Sequence, residues 1–389
     1  MPDAVVVGAG CAGAPTAMLL ARAGYRVTLV DRARFPRDTL STHYLQQPAV
    51  ALLRDWGLLD AVLGTRCPPI AHLRYRAADV AIDGPMWTFD GIGYALGPRR
   101  YLLDQLLVDA AVAAGVDFRA GQRVTDLIVE GDRVVGVRLR AERGGTDQLR
   151  APLVVGADGM RSVVAARTGA AVRVTDPPRT CVYYSYWPGV SDRFEIHEAP
   201  GSWIGVVPSN DGLTLVAAYF PQSAYPQVRL DAGAAYLAAV RDTAPDVHAR
   251  MRAVDRAERI YGTGAQLNFF RQPAGPGWVL VGDAGHHKDS LTARGITDAF
   301  HQAALLADSI GSGLDLHDPD RLRAALRRFE RGRDDLLADE YQHTLKLARL
   351  AHSPRRLASL RAAAGDPVQA AGFFRSLCGH PFQERMTPP

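Results

Sequence analysis

The spacing of apolar residues at the start of the chain predicts a βαβ unit. Residues 4–7 form a short apolar run that is typical of a buried parallel strand. A helical pattern of apolar residues follows and ends at Gly24. A second apolar run, residues 27–30, predicts another strand and leads directly into Asp31. Two strands joined by a helix in this way indicate a parallel sheet in an α/β fold.

Three glycines with G-x-G-x-x-G spacing fill the turn between the first strand and the helix. Gly8 makes the tight turn, Gly10 lets the backbone approach a pyrophosphate, and Gly13 lets helix and strand pack closely. The helix N-terminus supplies amide donors for phosphates. Asp31 is placed to accept hydrogen bonds from a ribose, which argues against a 2′-phosphate there. The unit predicts a dinucleotide site without distinguishing FAD from NAD.

A second strand, turn and helix occur late in the chain. Residues 279–281 form a short apolar strand, Gly282 permits a sharp turn, and Asp283 follows directly. A helical pattern begins at Gly295. The chain therefore has two strand ends that each open towards a helix N-terminus. One suits a diphosphate, and the other suits the far end of a long ligand.

Residues 180–220 predict antiparallel strands. The run TCVYYSYW alternates, which puts Val182, Tyr184 and Tyr186 on one face of a strand. Further on, SWIGVVP and LTLVAAYF flank the turn sequence NDG, a pattern typical of a hairpin. A sheet this rich in aromatic residues suits the floor of a pocket for an apolar or aromatic substrate. Plain core packing is the alternative, and it is the commoner fate of any single aromatic side chain.

The end of the chain predicts helices. Asp318 followed by Pro319 is typical of a helix start, because the aspartate caps and the proline fits the first helical position. Apolar residues at helical spacing follow it. We expect this region to cover a junction between domains.

Composition narrows the class of protein. The 389 residues are 47% hydrophobic and 22% charged, which is ordinary for a globular protein. Net charge is +4, but the arginines are dispersed, so we expect no nucleic-acid partner. We expect neither a membrane span nor a signal peptide. Cys11, Cys67, Cys181 and Cys378 have no C-x-x-C spacing, so a reduced cytoplasmic protein with free thiols and no metal site is expected.

Three separated motifs resemble the flavin monooxygenase superfamily that includes p-hydroxybenzoate hydroxylase, with geranylgeranyl reductases and flavin-dependent halogenases as relatives. The first is the glycine loop with Asp31. The second, LVVGADGMRS, matches the family's Asp-Gly motif and places Asp158 and Gly159 after a strand. The third, GDAGHHKDSLTARGI, matches the family's Gly-Asp motif. The resemblance covers residues 1–310.

The resemblance implies an α/β fold. It consists of a Rossmann-like FAD-binding domain, an inserted antiparallel-sheet substrate domain and a C-terminal helical segment. We expect the discontinuous FAD-binding domain at residues 1–75, 98–180 and 261–310. The substrate-binding sheet would take residues 76–97 and 181–260, and the helical region residues 311–389.

The resemblance also assigns contacts to FAD. Asp283 would bind the ribityl chain, and the helix start at Gly295 and Ile296 would lie beside the pyrimidine end of the flavin, where amide donors stabilise the anionic reduced ring. Arg100 in RRYLLD matches the family's R-x-x-[FL]-D pattern. The full set of predicted contacts is Gly8, Gly10, Gly13, Asp31, Arg32, Arg100, Val124, Asp158, Gly159, Gly282, Asp283, Gly295 and Ile296.

Few side chains are needed for the chemistry, because in the resembling enzymes reduced flavin and oxygen form a flavin hydroperoxide that does the work. A base that deprotonates a phenolic substrate is useful, and histidine suits that task at neutral pH. The candidates are His43, His286 and His287, and the alternative for each is a structural hydrogen bond or a solvated ring. Arg294 is a candidate for holding an anionic substrate or the loop itself.

We therefore expect an FAD-dependent monooxygenase that hydroxylates or epoxidises an aromatic or polyketide-like small molecule of secondary metabolism. NADH or NADPH would be the reductant. Ala165 stands where the family often has an arginine, which weakens the case for direct NAD(P)H binding and leaves a separate flavin reductase as a possible partner.

A flavin-dependent halogenase, a double-bond reductase and a non-catalytic flavin binder are the alternatives. Two features argue against a halogenase. No lysine precedes Lys288, although halogenases carry one early in the chain. WIGVVP has Gly205 where their motif has a second tryptophan, so the wall between flavin and substrate would be open.

Overall fold

The computed structural model describes residues 1–142 and 144–377. It confirms the predicted fold class, with parallel and antiparallel sheets and helices at the C-terminal end. The strands are β1 Ala4–Val7, β2 Val27–Asp31, β3 His72–Ala77, β4 Val80–Pro85, β5 Asp117–Ala120, β6 Gln122–Glu130, β7 Arg133–Ala141, β8 Thr146–Arg150, β9 Leu153–Gly156, β10 Val172–Asp176, β11 Thr180–Pro188, β12 Phe194–Ala199, β13 Ser202–Pro208, β14 Leu213–Pro221, β15 Tyr261–Thr263, β16 Asn268–Arg271, β17 Ala274–Gly275, β18 Trp278–Leu280 and β19 His286–His287.

The helices surround these strands. They are α1 Gly13–Arg22, α2 Gln47–Asp55, α3 Leu59–Gly64, α4 Arg100–Ala113, α5 Val163–Thr168, α6 Tyr225–Val228, α7 Ala232–Thr243, α8 Pro245–Met251, α9 Gly295–Ile310, α10 Pro319–Leu347, α11 Pro354–Gly365 and α12 Pro367–Leu377.

A six-stranded, mostly parallel sheet has the order β17-β18-β9-β1-β2-β5. β1 pairs in parallel with β2 and β9, and β18 pairs in parallel with β9. These four strands are buried along their whole length, as expected for strands covered on both faces. Because parallel strands end at the same edge, the sheet brings Gly8, Asp31, Asp158 and Gly282 to one side.

A seven-stranded sheet has the order β15-β11-β14-β13-β12-β3-β4. It is antiparallel except where β12 pairs in parallel with β3. The predicted hairpin joins β13 and β14, with Asp211 at a φ of 60° in its turn. The side chain of Asn210 accepts from the Arg99 amide at 2.8 Å and donates to the Thr65 carbonyl at 2.8 Å. The Asn210 side chain therefore anchors the turn to the segments that contain Thr65 and Arg99.

The two faces of β11 pack against different parts of the molecule. Val182, Tyr184 and Tyr186 share one face, as the alternation predicted, and belong to an apolar cluster that includes residues of α11 and α12. Tyr183 and Trp187 face the opposite way, into a cluster formed with α7 and α8. Both faces are buried, so aromatic residues on this strand serve the core as well as the cavity described below.

The residue boundaries of the domains remain a prediction. Sheet pairing runs past two of these boundaries. Residues Leu73–Ala77 of β3 pair with β12, and β15 pairs with β11. The seven-stranded sheet thus extends to His72 on one side and Thr263 on the other. Two three-stranded sheets complete the strand structure, in the orders β10-β16-β19 and β6-β7-β8.

The C-terminal helices cover both sheets. Asp318 caps α10 as predicted, accepting from the amides of Asp320 and Arg321 at 3.0 and 3.1 Å. α10 packs on α9 and on Phe270 of β16, and α11 and α12 contribute Leu360 and Phe374 to the cluster on the seven-stranded sheet. The predicted helical region continues past residue 377, where it lies outside the described residues. Within the described ranges, we find no helix with the length and apolar character needed to cross a membrane.

Candidate functional site

A cavity of about 690 Å³ lies where the carboxyl edge of the parallel sheet faces the seven-stranded sheet. Most of the predicted FAD contacts line it together, although they come from six separate segments of the chain. These are Gly8, Gly10, Asp31, Arg32, Arg100, Val124, Asp158, Gly159, Asp283, Gly295 and Ile296. Gly13 and Gly282 are not among the lining residues. His286, His287 and Arg294 line the cavity, and His43 does not.

The glycine loop shows why each glycine is needed. Gly8 has a φ of +98°, and a Cβ there would lie 2.5 Å from the Ala157 carbonyl oxygen. A Cβ at Gly13 would lie 1.7 Å from the Gly8 carbonyl oxygen, so this glycine serves helix packing. At Gly10 the nearest atom is the Arg100 guanidinium, 3.4 Å away. The Gly10 face is therefore open to the cavity, and a diphosphate can approach the backbone there.

Asp31 organises the same loop at the end of β2. Its Oδ2 accepts from the Ala9 amide at 2.8 Å, and its Oδ1 accepts from the Ala33 amide at 2.7 Å. Each carboxylate oxygen has a second lone pair, so the side chain can still accept from a ligand hydroxyl. The acid thus has a structural role that the motif alone did not show, in addition to its place in the cavity wall.

Arg100 is fixed at the first residue of α4. Its guanidinium makes a bidentate pair with Asp104, at 2.8 and 2.7 Å, and Asp104 Oδ1 also accepts from the Cys11 thiol at 3.1 Å. Burial raises the pKa of Cys11, so the thiol stays protonated and donates. The motif acid Asp104 therefore positions Arg100 beside Gly10.

His43 contacts the start of α4 through the backbone of Arg100. Its Nδ1 accepts from the Arg100 amide at 3.1 Å, at the start of α4, where no side chain of the helix itself caps the end. Its Nε2 contacts the Tyr186 hydroxyl. Burial, followed by the charges of Arg100 and Arg99, lowers the pKa of His43 well below its usual range. Both ring nitrogens thus have protein partners, and a neutral ring caps the helix; its catalytic role remains a prediction.

The Asp-Gly motif forms a tight turn before α5. Asp158 accepts from the Ser162 hydroxyl at 2.5 Å and from the Val163 amide at 2.6 Å, while Ser162 caps α5 through the Ala165 amide at 2.9 Å. Gly159 has a φ of +80° and no atom within 4 Å of the position of a Cβ. The turn therefore exposes its backbone to the cavity and uses its acid to hold that shape.

Side-chain hydrogen bonds hold the shape of the Gly-Asp loop. Asp289 accepts from the Leu291 amide at 3.1 Å and from the hydroxyl of Thr180 at 2.8 Å. Gln266 accepts from both the amide and the hydroxyl of Ser290, at 3.0 and 2.5 Å. The loop between β19 and α9 is therefore tied to the first residue of β11 and to the segment between β15 and β16.

Asp283 and the two histidines occupy the start of this loop. Asp283 is 45% exposed and faces the cavity, with its Oδ2 4.0 Å from Nε2 of His287. His287 Nδ1 contacts the Leu267 carbonyl. His286 is buried between the rings of Phe270 and Tyr341, whose centroids lie 4.3 and 5.9 Å from its own.

Of the three candidate histidines, His286 is the one with a buried ring nitrogen, Nε2, that has no hydrogen-bond partner among the described residues. Burial, followed by the charge of Lys288, lowers the pKa of His286 well below its usual range. It is therefore neutral at pH 7 and can accept or donate one proton through that nitrogen.

Two charged residues of the cavity wall were missed by sequence reasoning. Lys288 contacts Asp298 across ten residues of chain, and both side chains are buried. Burial raises the pKa of Asp298, but the charges of Lys288 and Arg294 outweigh it and the net pKa is lowered. The near absence of lysine elsewhere was the one signal that marked Lys288.

Arg294 anchors the loop to α10. Its Nη1 lies 2.9 Å from Glu340 Oε1, and its Nε lies 3.8 Å from Asp298 Oδ1. The side chain is only 5% exposed. Of the two roles considered for Arg294, holding the loop is the one with partners in the structure, and contact with a substrate remains a prediction.

The far end of the cavity is formed by the seven-stranded sheet and the segment before α2. Tyr44, Val182, Tyr184 and Thr263 are among the lining residues from these elements. Tyr184 is held in place by stacking on Tyr261 at a centroid distance of 5.5 Å and by donation from the Ser41 amide to its hydroxyl at 3.3 Å. The cavity thus has a polar end with glycine turns and an apolar, aromatic end.

A family comparison agrees with this geometry. A profile of the FAD binding domain family matches residues 1–325, so the chain belongs to that family. The tryptophan 2-halogenase of Chondromyces crocatus is 27% identical over 335 residues, which cover 79% of this chain and 60% of that enzyme. The chain therefore spans less than two thirds of that relative's length. The 6-methylpretetramide 4-monooxygenase of Streptomyces rimosus is 28% identical over 329 residues, covering 81% of this chain and 77% of that enzyme.

Solved structures show the same fold. The myxobacterial chondrochloren halogenase CndH superposes with a TM-score of 0.81 at 23% identity, covering 98% of this chain and 94% of that chain. Digeranylgeranylglycerophospholipid reductases are also among the relatives. The predicted resemblance to monooxygenases, halogenases and geranylgeranyl reductases is confirmed, and these relatives carry out different reactions.

Proposed function

We propose that this chain is an FAD-dependent monooxygenase that hydroxylates or epoxidises an aromatic or polyketide-like small molecule. The observation that carries this proposal is the continuity of the cavity. Its glycine-loop end and its aromatic end at Val182 and Tyr184 line the same space of about 690 Å³. Oxygen transfer from a flavin needs the substrate beside the ring, whereas halogenation of the kind expected from the resemblance keeps them apart.

The residues at the polar end fit FAD. The open face of Gly10 suits the diphosphate, Asp31 suits the adenosine ribose, and Asp283 suits the ribityl chain. The amides at Gly295 and Ile296 begin a sixteen-residue helix and suit the pyrimidine end of the flavin. When bound, FAD supplies the oxygen chemistry, and the protein supplies orientation and shields the site from water.

The aromatic end suits an apolar planar substrate. Tyr44, Val182 and Tyr184 offer flat or apolar surface, and hydroxyl groups such as those of Ser41, Thr42 and Thr263 are also part of the lining. Pockets of this type bind small molecules through apolar contact and use a few polar groups for orientation. A fused aromatic or polyketide-like molecule with one or two hydroxyl groups fits this description.

His286 is the base that we assign to this reaction. It is neutral, and its Nε2 has no partner among the described residues, while His43 uses both ring nitrogens within the protein. In the proposed step an O–H bond of the substrate breaks and an N–H bond forms at Nε2, and the electron pair stays on oxygen.

A halogenase is the second candidate, because a tryptophan 2-halogenase and the CndH structure are among the relatives. The arguments against a halogenase rest on Gly205 and on the first lysine of the chain, and the structure describes both positions. A Cβ at Gly205 would meet no atom within 4 Å, so the position of the second tryptophan is open space. Lys288, the first lysine of the chain, lies in the cavity wall and is paired with Asp298.

Product masses distinguish the candidates. Purified protein with FAD, a reductant, oxygen, bromide and a panel of phenols and polyketide aromatics would be analysed by mass spectrometry. We expect a product heavier by one oxygen atom. A brominated product would support the halogenase instead, and a product heavier by two hydrogens would support a reductase.

The reductant is a separate question. We propose NADH or NADPH, delivered either directly or through a separate flavin reductase. Anaerobic mixing with each nicotinamide, followed at the flavin absorption band, distinguishes these routes. Bleaching without an added reductase supports direct use, and bleaching only when a reductase is added supports the two-component route.

A further inference from the structure

The cavity wall beside α9 contains a buried ion pair that the proposed reaction does not use. The Lys288 ammonium contacts Asp298 Oδ2, and the two side chains are only 4% and 5% exposed. Both residues line the cavity together with Gly295 and Ile296. Burying two charges is costly unless they are closely paired, so this arrangement calls for a physical reason.

The charges around the pair are balanced. Arg294 lies 3.8 Å from Asp298 and 2.9 Å from Glu340, which adds one positive and one negative charge. Arg333 is paired with Asp334 at 2.6 Å, and the neighbouring His286 is neutral. Removing either member of the Lys288–Asp298 pair would therefore leave a net charge inside the cavity wall.

Asp298 has two opposing effects at the start of α9. It lies in the first turn of the helix, where an acid interacts favourably with the amide dipoles. An acid in that turn also opposes the binding of any anion by the same amides. Lys288 cancels this second effect, because its ammonium neutralises the carboxylate on the cavity side. The first turn thus stays able to stabilise negative charge in the cavity.

We propose that the Lys288–Asp298 pair keeps the reduction potential of the bound flavin at the value given by the start of α9, because each residue cancels the effect of the other's buried charge. This inference rests on the proposed position of the flavin ring at Gly295 and Ile296. Reduction adds negative charge to the ring, so an uncompensated lysine in the wall favours the reduced form and an uncompensated aspartate disfavours it. With both charges present their effects cancel, and the field of the helix start remains.

The test compares two single variants and their combination in the FAD-loaded protein. Asp298→Asn leaves the lysine uncompensated and raises the potential, whereas Lys288→Met leaves the aspartate uncompensated and lowers it. Each shift should be at least about tenfold in the equilibrium between oxidised and reduced flavin, which is about 30 mV for a two-electron couple. The double variant should return to within about threefold of the unmodified protein. Anaerobic titration against a redox dye measures the reduction potential of the unmodified protein, the two single variants and the double variant.

Matched controls exclude a general effect of losing a charge. Lys346 is the only other lysine, and it lies exposed on α10, as does Asp339. Lys346→Met and Asp339→Asn should leave the potential unchanged. Two single variants that shift in the same direction, or that both stay at the potential of the unmodified protein, would overturn the proposal. If Lys288→Met does not fold, the potentials of Asp298→Asn and of the double variant still test the proposal.

The titration is independent of the substrate and of the reaction. Opposite shifts could be observed in a protein that never transfers oxygen, in which case the proposed monooxygenase activity fails and the role of the pair stands. Conversely, the protein could be an active monooxygenase whose variants all have the same reduction potential. The proposed function would then stand, and the proposed role of the pair would fail.

Discussion

The two strand–turn–helix units that line the cavity are built by different means. In the first, between β1 and α1, glycines and backbone amides form the turn, and one acid, Asp31, holds it. In the second, between β18 and α9, side chains do this: Asp289 and Gln266 fix the turn, and Lys288 and Asp298 are buried in its wall. The first presents an open backbone surface, and the second presents a charge-balanced wall.

This difference suits the two ends of one long cofactor. A diphosphate keeps its charge throughout a reaction, so a turn with exposed amides is sufficient for it. A flavin ring changes charge when it is reduced, and buried charged groups can favour one state over the other. We expect substitutions in the first unit to change whether FAD binds. Substitutions in the second should change how bound FAD behaves.

The largest effect is expected at Gly10. Gly10→Val places a branched side chain on the open face of the loop, where the backbone should meet the diphosphate. The nearest atom to the new Cβ is the flexible Arg100 guanidinium, so the protein should still fold. We expect FAD affinity to fall at least about a hundredfold, which is about 2.7 kcal/mol, and purified protein to be colourless.

The absorption spectrum and a flavin titration measure this effect. Gly64→Val is a matched control, because Gly64 also has open space around it and lies away from the cavity. Yellow Gly10→Val protein with unchanged affinity would show that the first unit does not bind the diphosphate.

A smaller effect on binding is expected at Asp31. Asp31→Ala removes an acceptor for the ribose and the two amide contacts that hold the loop, at 2.8 and 2.7 Å. Hydrogen bonds to a charged group contribute about 1.5–3 kcal/mol, so FAD affinity should fall by about one to two decades. Asp31→Asn keeps one acceptor oxygen, so in the same titration its FAD affinity should lie between those of Asp31→Ala and the unmodified protein. Unchanged affinity in Asp31→Ala would mean that the acid does not contact the cofactor.

The smallest effect is a pH dependence of stability that arises in the second unit. His286 has a pKa well below its usual range, so its neutral form is favoured in the folded protein while the unfolded chain takes up a proton below about pH 6.5. Stability is therefore lost as pH falls through that value. His286→Gln removes this contribution. The free energy of unfolding of the variant should therefore fall less steeply as the pH is lowered, with a slope smaller by up to about 1.4 kcal/mol per pH unit.

Urea unfolding between about pH 7 and 5 checks this prediction. His317→Gln, on an exposed residue, should keep the steepness of the unmodified protein. Equal slopes for His286→Gln and the unmodified protein would show that His286 is not held neutral. The assignment of His286 as the base would then be withdrawn.

The contrast between the units also explains what the sequence could predict. Gly8, Gly10, Gly13 and Asp31 lie within one βαβ unit, and local backbone geometry dictates their types, so the motif was visible. Asp318 before Pro319 was visible for the same reason. The face of β11 that carries Tyr184 followed from the two-residue period of a strand.

The remaining features depend on residues that meet only in the folded chain. His43 caps α4 through the amide of Arg100, 57 residues away, and no local pattern signals that contact. Lys288 and Asp298 meet because the intervening chain makes a short turn with Ala293 at a φ of 53°. Sheet pairing likewise carries β3 and β15 past the predicted domain boundaries, because strand neighbours are chosen by tertiary packing.

Oxygen transfer to a substrate beside the flavin is the central claim, and isotope labelling tests it most directly. The FAD-loaded protein would be reduced, supplied with a phenolic or polyketide aromatic that it turns over, and exposed to isotopically heavy oxygen gas in ordinary water. We predict that the product carries one heavy oxygen atom. A product whose added oxygen comes from water, or a turned-over substrate that gains no oxygen, would contradict the account.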